Sequence, residues 1–342
     1  MPSPSPATAV VLCNLGTPDA PTAPAVRRYL AQFLSDPRVV EIPRAVWLPI
    51  LYGAVLTTRP AKSAAKYASI WLPEGSPLKV WTERQAAALQ EALGPEVTVR
   101  AAMRYGEPAL ASVLDALRAQ GADRILVLPA YPQYSGTTTA SVWDALAQWA
   151  GAQRNLPALR FVRGYHDDAG YIGALAATVR AHWQRNGRGG HLVMSFHGVP
   201  QRTVDQGDSY ADECRETARL LAAALQLQEG SWSLSFQSRF GKAKWLEPAT
   251  EPSLVALACA GTARVDVMCP GFTSDCLETL EEIDQEGRAA FMAAGGSTFH
   301  YIPCLNADAA WTAALAGLAR RQLAGWLPQS QENQAAAPGS WT

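Results

Sequence analysis

The sequence predicts an α/β protein of two doubly wound units, each a parallel four-stranded sheet flanked by helices, with a cleft between the two sets of strand ends. Three observations carry this. Short apolar runs alternate with helically spaced segments from residue 9 to residue 327, and alternation with short loops builds parallel sheets covered on both faces. Several runs end in Gly/Pro turns, which mark the carboxyl ends of buried strands. The turns of the first half also recur, in order, in the second. Asn14-Leu15-Gly16-Thr17-Pro18 matches Phe196-His197-Gly198-Val199-Pro200, Arg104-Tyr105-Gly106 matches Arg239-Phe240-Gly241, and Leu128-Pro129-Ala130-Tyr131 matches Met268-Cys269-Pro270-Gly271-Phe272. The repetition reads as a duplicated fold.

Taken in order, 9–13 is a buried strand. The helix 25–34 puts Val26, Tyr29, Leu30, Phe33 and Leu34 on one face and ends at Pro37. The apolar stretch 42–56 is broken by Pro49 and Gly53 and leads to Arg59 and Lys62. Helix 78–93, strand 97–101, helix 109–119, strand 124–128, helix 137–153 and strand 159–163 complete the first half. In the second, helix 171–186 precedes strand 191–196. Helix 210–225, strand 232–236, helix 254–260, strand 264–268, helix 275–294, strand 298–302 and helix 308–327 follow. This divides the chain into a first unit, 1–165, joined by the last helix, and a second unit, 166–307. The tail 328–342 is polar and reads as disordered.

At 342 residues the chain can bury two cores. Its net charge of -1, with no Lys/Arg cluster, gives no footprint for nucleic acid. The six cysteines are scattered without a C-x-x-C pair, so neither a zinc site nor a disulfide framework is expected, and a reducing cytoplasm suits them. Residues 1–8 lack the basic and apolar regions of a secretory signal, and the longest apolar run is too short to span a bilayer. No G-x-G-x-x-G or P-loop is present, so neither a dinucleotide nor ATP is indicated.

Ligands of open α/β sheets bind at the carboxyl ends of the strands. Those ends gather His197, Arg104, Tyr105, Tyr131, Gln133, Tyr134, Ser135 and Arg239. A lone histidine there is as readily a hydrogen-bonded structural group as a catalytic one, but the Gly-x-Pro turn after His197 opens its side chain to the cleft. A second feature is acidic. Asp275, Glu278 and Glu282 stand at i, i+3 and i+7, which on an α-helix is one face. Asp275 with Glu278 could simply be a capping box. Set opposite His197, Glu278 would instead suit a divalent metal such as Fe²⁺, or proton removal near neutral pH. The stretch 42–56, with Trp47 and Tyr52, reads either as a core helix or as an apolar lip touching a membrane surface.

Four motifs together resemble the ferrochelatases. They are Ser195-Phe196-His197-Gly198-Val199-Pro200, Tyr131-Pro132-Gln133-Tyr134-Ser135, Phe236-Gln237-Ser238-Arg239-Phe240-Gly241 and the run from Cys269 to Leu280 that contains Thr273-Ser274-Asp275-Cys276-Leu277-Glu278. The resemblance extends over nearly the whole chain and is to the proteobacterial type. It implies two similar Rossmann-like, chelatase-type domains and the insertion of Fe²⁺ into protoporphyrin IX. His197 and Glu278 would be the catalytic and iron-contacting pair, with Asp275 and Glu282 lining an acidic path. Met103, Arg104, Tyr105, Tyr131 and Ser135 would form a porphyrin-contacting wall, and Arg59 and Lys62 would meet the propionates. The stretch 42–62 would be the lip over the cleft, with transient membrane-surface contact, and the protein a cytoplasmic monomer. Cys276 stands where many members carry a second histidine. No cysteine follows Cys304, so no [2Fe–2S] cluster is expected. Two other readings stay open: a chelatase for coproporphyrin III or sirohydrochlorin, and a non-catalytic porphyrin- or metal-binding protein.

Overall fold

The structure, a computed structural model, describes residues 7–239, 241 and 243–327. The expected tail 328–342 lies outside the described residues. Strands β1 (Ala7–Gly16), β2 (Val97–Tyr105), β3 (Ala122–Pro129) and β4 (Ala158–Phe161) form one parallel sheet in the order β2-β1-β3-β4. Strands β5 (His191–His197), β6 (Trp232–Gln237), β7 (Arg264–Met268) and β8 (Thr298–Tyr301) form a second in the order β6-β5-β7-β8. The two orders are the same permutation, as a duplication requires.

The central strands are buried on both faces, which is why they read as nearly unbroken apolar runs. Alternate residues divide between two layers. Val10 and Leu12 of β1, with Leu192, Met194 and Phe196 of β5, enter one common core that also holds Leu89, Tyr171, Leu221 and Leu315. Ala9, Val11 and Cys13 face an outer core with Leu114 and Leu146, and Val193 faces another with Val265, Ile283 and Phe291. Helices Pro77–Leu93, Ala169–Asn186, Tyr210–Ala224 and Ala309–Gln322 therefore supply a central layer shared by both sheets. Helices Ala169–Asn186 and Ala309–Gln322 each follow the fourth strand of a half. Each starts on an aspartate, Asp168 or Asp308, whose carboxylate accepts two first-turn N–H groups.

One helix was not anticipated and two expectations change. First, helix Leu56–Ile70 runs through Pro60, continuing helix Arg44–Ile50 and a π-helical segment, Leu51–Val55. Proline removes one donor each at Pro49 and Pro60, and the wider turns between them keep the chain helical. Second, the expected α-helix 275–294 starts as a π-helix, Glu278–Gly287, before Arg288–Ala293. Asp275 lies ahead of it, so the three acids do not share a helix face and no capping box forms. Third, Arg104 does not correspond to Arg239. Asn14 pairs with Met103 as Phe196 pairs with Phe236. Met103 N–H donates to Pro108 C=O, as Phe236 N–H does to Pro248 C=O. Arg104 thus stands where Gln237 stands, and a longer loop in the second half carries Arg239 beyond the match.

The lip is exposed. Helix Arg44–Ile50 buries none of its residues, and Ile42, Val46, Ile50 and Tyr52 are 43% to 55% exposed. Its base is held by Leu51, Leu56 and Trp47, packed with Tyr29, Tyr67 and Tyr105. Among the described residues no helix is long and apolar enough to cross a membrane.

Candidate active site

His197 is the last residue of β5, and Gly198 follows it. Gly198 N–H donates to Gln237 C=O at 2.6 Å, and a Cβ at Gly198 would stand 2.7 Å from that oxygen. Only glycine lets the turn lie this close. Gly16, the last residue of β1, holds the matching place: it adopts φ +110°, and a side chain there would collide with the Tyr105 carbonyl. His197 Nδ1 lies 2.6 Å from Gly198 C=O. A carbonyl only accepts, so Nδ1 carries the hydrogen and the neutral ring keeps its lone pair on Nε2.

Gln237 connects this turn to the acidic helix. It is buried and stands opposite His197 in the strand register. Its Nε2 donates to Glu278 C=O at 2.7 Å, and its Oε1 accepts from Ser195 Oγ at 2.7 Å. The next residue, Ser238, holds Glu282 twice, through N–H at 2.6 Å and Oγ at 2.5 Å. A π-helix closes i→i+5 bonds, and its wider turn stacks residues four apart, so Glu278 and Glu282 form the row. Burial raises the Glu282 carboxyl above its ordinary range. The hydrogen bond from Ser238 and the nearness of His197 pull it down, and Glu278 pushes it up. His197 and Glu278 are thus each within electrostatic reach of Glu282.

Glu278 and Glu282 also line a cavity of about 660 Å³ between helix Leu56–Ile70 and the π-helix. Arg59, Lys62 and Lys66 stand on one wall; Glu278, Glu281, Glu282 and Glu286 stand on the other. Lys66 spans it to Glu281 and Glu286, each at 2.8 Å. His197 does not line this cavity. Asp275 does not line it either: it is 5% exposed, and its carboxylate accepts from Tyr301 Oη at 2.5 Å, Asn306 Nδ2 at 2.7 Å and Cys304 N–H at 3.2 Å. These bonds make it a brace beneath the acidic helix.

The expected wall is split. Met103 has no exposed surface. Arg104 and Tyr105 border a second cavity, of about 480 Å³, where both donate to Asp36 Oδ2, at 2.6 and 2.8 Å, and meet Ser141. Burial works against ionised Asp36, but hydrogen bonds from Ser141, Arg38 N–H and Tyr105, with the Arg104 charge, hold its carboxyl below the ordinary range. Ser135 is buried and bonded to Asp208 at 3.1 Å, so it ties the loop after β3 to the loop before Tyr210. Tyr131 Oη is buried without a hydrogen-bond partner among the described residues.

Sequence reasoning missed Gln237 and Ser238 as site residues, although both lie in a quoted motif. The register of β6 beside His197 was the usable signal. It also missed Tyr29 and Tyr67. Burial drives both phenols far up, and Glu278 adds to the rise in each case. The apolar face of helix Ala23–Leu34 had offered Tyr29, but only as core.

Residues 7–323 match the profile of the ferrochelatase family. A ferrochelatase of Polaromonas sp. (strain JS666) is 64% identical over 332 residues, covering 96% of this chain and 90% of its own. One of Methylibium petroleiphilum is 65% identical over 331 residues, covering 96% and 91%. Among solved structures, CbiX, described as the terminal enzyme for biosynthesis of siroheme in denitrifying bacteria, has a TM-score of 0.51 at 15% identity, over 93% of this chain and 100% of that one. SirB from Bacillus subtilis with Fe³⁺ has a TM-score of 0.50 at 14% identity, over 73% and 92%. At such identities the likeness shows the fold alone, two sheets of the kind described above. The family match and the high identity along nearly the full length go further: this chain belongs to the ferrochelatase family.

Proposed function

We propose that His197 and Glu278 carry out the reaction that family membership brings to this chain, insertion of Fe²⁺ into protoporphyrin IX to give protohaem. The observation that carries the assignment is the Gln237 link, which fixes the turn of His197 to the first carbonyl of the acidic helix.

Insertion must remove two pyrrole N–H protons and strip water from the incoming ion. His197, whose Nδ1–H is engaged by Gly198 C=O, accepts a proton from the ring or contacts the iron through Nε2. Glu278 shares that contact, and Glu282 behind it takes up protons, because its raised carboxyl exchanges them at higher pH than an ordinary glutamate. A cleft that holds the ring saddled exposes the nitrogen lone pairs and so favours the transition state. Arg59 and Lys62 supply cations for the propionates at the cavity bordered by Glu278. Arg104, Tyr105 and Tyr131, with Met103 and Ser135 beneath them, belong to the porphyrin side. Asp275 holds the acidic helix in place rather than lining its path.

Fe²⁺ is the substrate metal, and the reading includes no [2Fe–2S] cluster. The exposed lip fits transient contact of a cytoplasmic monomer with a membrane surface, from which an apolar macrocycle would be collected. The deciding experiment is anaerobic: protoporphyrin fluorescence should disappear when Fe²⁺ and the protein are added together, and faster than with coproporphyrin III. Preference for coproporphyrin would reassign the substrate. Glu278→Gln at wild-type rate would remove Glu278 from the chemistry.

A further inference from the structure

On the second sheet, away from His197, two histidines and an aspartate converge. His182 lies on helix Ala169–Asn186, Asp266 on β7 and His300 beside it on β8. His182 Nε2 is 3.2 Å from His300 Nδ1, and His300 Nδ1 is 3.8 Å from Asp266 Oδ1. One ligand atom from each of the three lies within 4.8 Å of the others. Ligands held at about 2.0–2.2 Å around a tetrahedral ion stand about 3.4 Å apart, so these spacings need little adjustment.

The surroundings orient the donors. Asp266 Oδ2 accepts from Trp183 Nε1 at 2.7 Å and Gly189 N–H at 2.8 Å, which leaves Oδ1 on the histidine side. Asn186 Nδ2 donates to His182 Nδ1 at 3.3 Å, so without a metal the His182 hydrogen sits on Nε2 and points at His300 Nδ1; a metal on Nε2 would move that hydrogen to Nδ1 at the expense of the Asn186 contact. Such outer partners set the direction of metal ligands. The His300 side chain is 28% exposed and gives access from solvent. One cation already occupies the place: Arg264 Nη2 is 3.2 Å from His300 Nδ1 and 3.3 Å from Asp266 Oδ1. The same guanidinium also donates to the carbonyls of Asn186 and Gly187, at 2.8 and 2.5 Å. On giving up Asp266 and His300 to a metal it would keep these two carbonyl bonds.

We propose that His182, Asp266 and His300 form a second divalent-metal site, with Arg264 as the resident cation that the metal displaces. Two imidazole nitrogens and one carboxylate oxygen suit Zn²⁺, Co²⁺ or Fe²⁺ over Mg²⁺ or Ca²⁺. Asp266 pairs with Leu192, five residues before His197 on β5, which places the site about 16 Å along the strand from that histidine. It does not rest on the assignment of His197.

The test titrates the full chain, in a His197→Ala background, with Co²⁺ alone and follows the visible ligand-field absorption. Zn²⁺ should compete the band away. His300→Ala should weaken binding about tenfold or more, and Arg264→Gln should tighten it by removing the competing charge. Asp266→Asn should act as His300→Ala does. With His197 intact, His300→Ala should insert iron at the wild-type rate. A band unchanged by His300→Ala, or no band even in Arg264→Gln, would overturn the site.

Discussion

Leu15 and His197 stand at the same place in the two halves, one residue before the glycine that ends the central strand. Leu15 packs into the core under the lip. His197 ties Nδ1 to Gly198 and keeps a basic nitrogen beside Glu282. The difference continues outward. Arg104, one residue before the end of the neighbouring strand of the first half, forms a salt bridge with Asp36, whereas Gln237 ends that of the second in a bond to Glu278. After the third strand comes an α-helix, Thr139–Gly151, in one half and a π-helix, Glu278–Gly287, in the other. One backbone plan thus serves two tasks. The first half closes its strand ends into a rigid wall, and the second leaves titratable groups there.

That contrast can be broken most directly at its centre. His197→Ala should lower iron insertion by about 10²–10⁴-fold with an unchanged circular dichroism melt. Leu15→Ala should lose about 2 kcal/mol of stability, toward the low end for a partly buried leucine, and keep its chemistry. A comparable activity loss in both variants would erase the division of tasks.

Next comes the connector. Gln237→Met keeps the length but cannot bond Glu278 C=O, and kcat should fall by about 10²-fold with KM for porphyrin nearly unchanged. A rise in KM alone would make Gln237 part of substrate binding.

Third is the seam between the halves. Glu213 accepts from Tyr134 N–H at 2.7 Å and pairs with Arg163 at 2.9 Å. Burial raises its carboxyl, but hydrogen bonds from His166, Tyr134 N–H, Ser209 and Arg163 outweigh this and hold it at about 2. Its stabilisation is complete above the ordinary value of 4.5 and is lost as pH falls from there through about 2. His166 has the opposite sign: its pKa is raised, so its contribution is full below 6.5 and fades as pH rises through the folded value. The fall in Tm between pH 4.5 and 2 should be steeper in the wild type than in Glu213→Gln, and parallel curves would disprove this role.

The smallest effect belongs to Ser238→Ala. Losing one of its two bonds lets burial raise Glu282 further, so the acidic limb of kcat should move to higher pH. A shift to lower pH would contradict the direction assigned to that hydrogen bond.

How much of this was legible depends on the range of the interactions. Strand β1 could be read from Val10-Val11-Leu12 because a strand buried on both faces has no polar alternation to hide it. His197 could be read from the turn beside it. Helix Leu56–Ile70 could not, since Pro60 looks like a terminator unless the preceding π-helical turns are known. Asp275 left the acidic row because it precedes the π-helix and is bonded to Tyr301, Asn306 and Cys304. The match of Arg104 with Arg239 followed the letters, whereas the backbone bonds at Pro108 and Pro248 show the inserted loop. Asp36, Tyr29 and Tyr67 reach the site through tertiary contacts that no local pattern encodes.

The helix layer between the sheets has a consequence for how the molecule comes apart. Val10 and Leu12 share one core with Leu192 and Met194, so neither half can separate without exposing the apolar face of both. Fragments ending near residue 187 would be left with a sheet open to water and a tendency to associate. The intact chain should melt as one cooperative unit, a single calorimetric peak from a protein whose plan is visibly twofold.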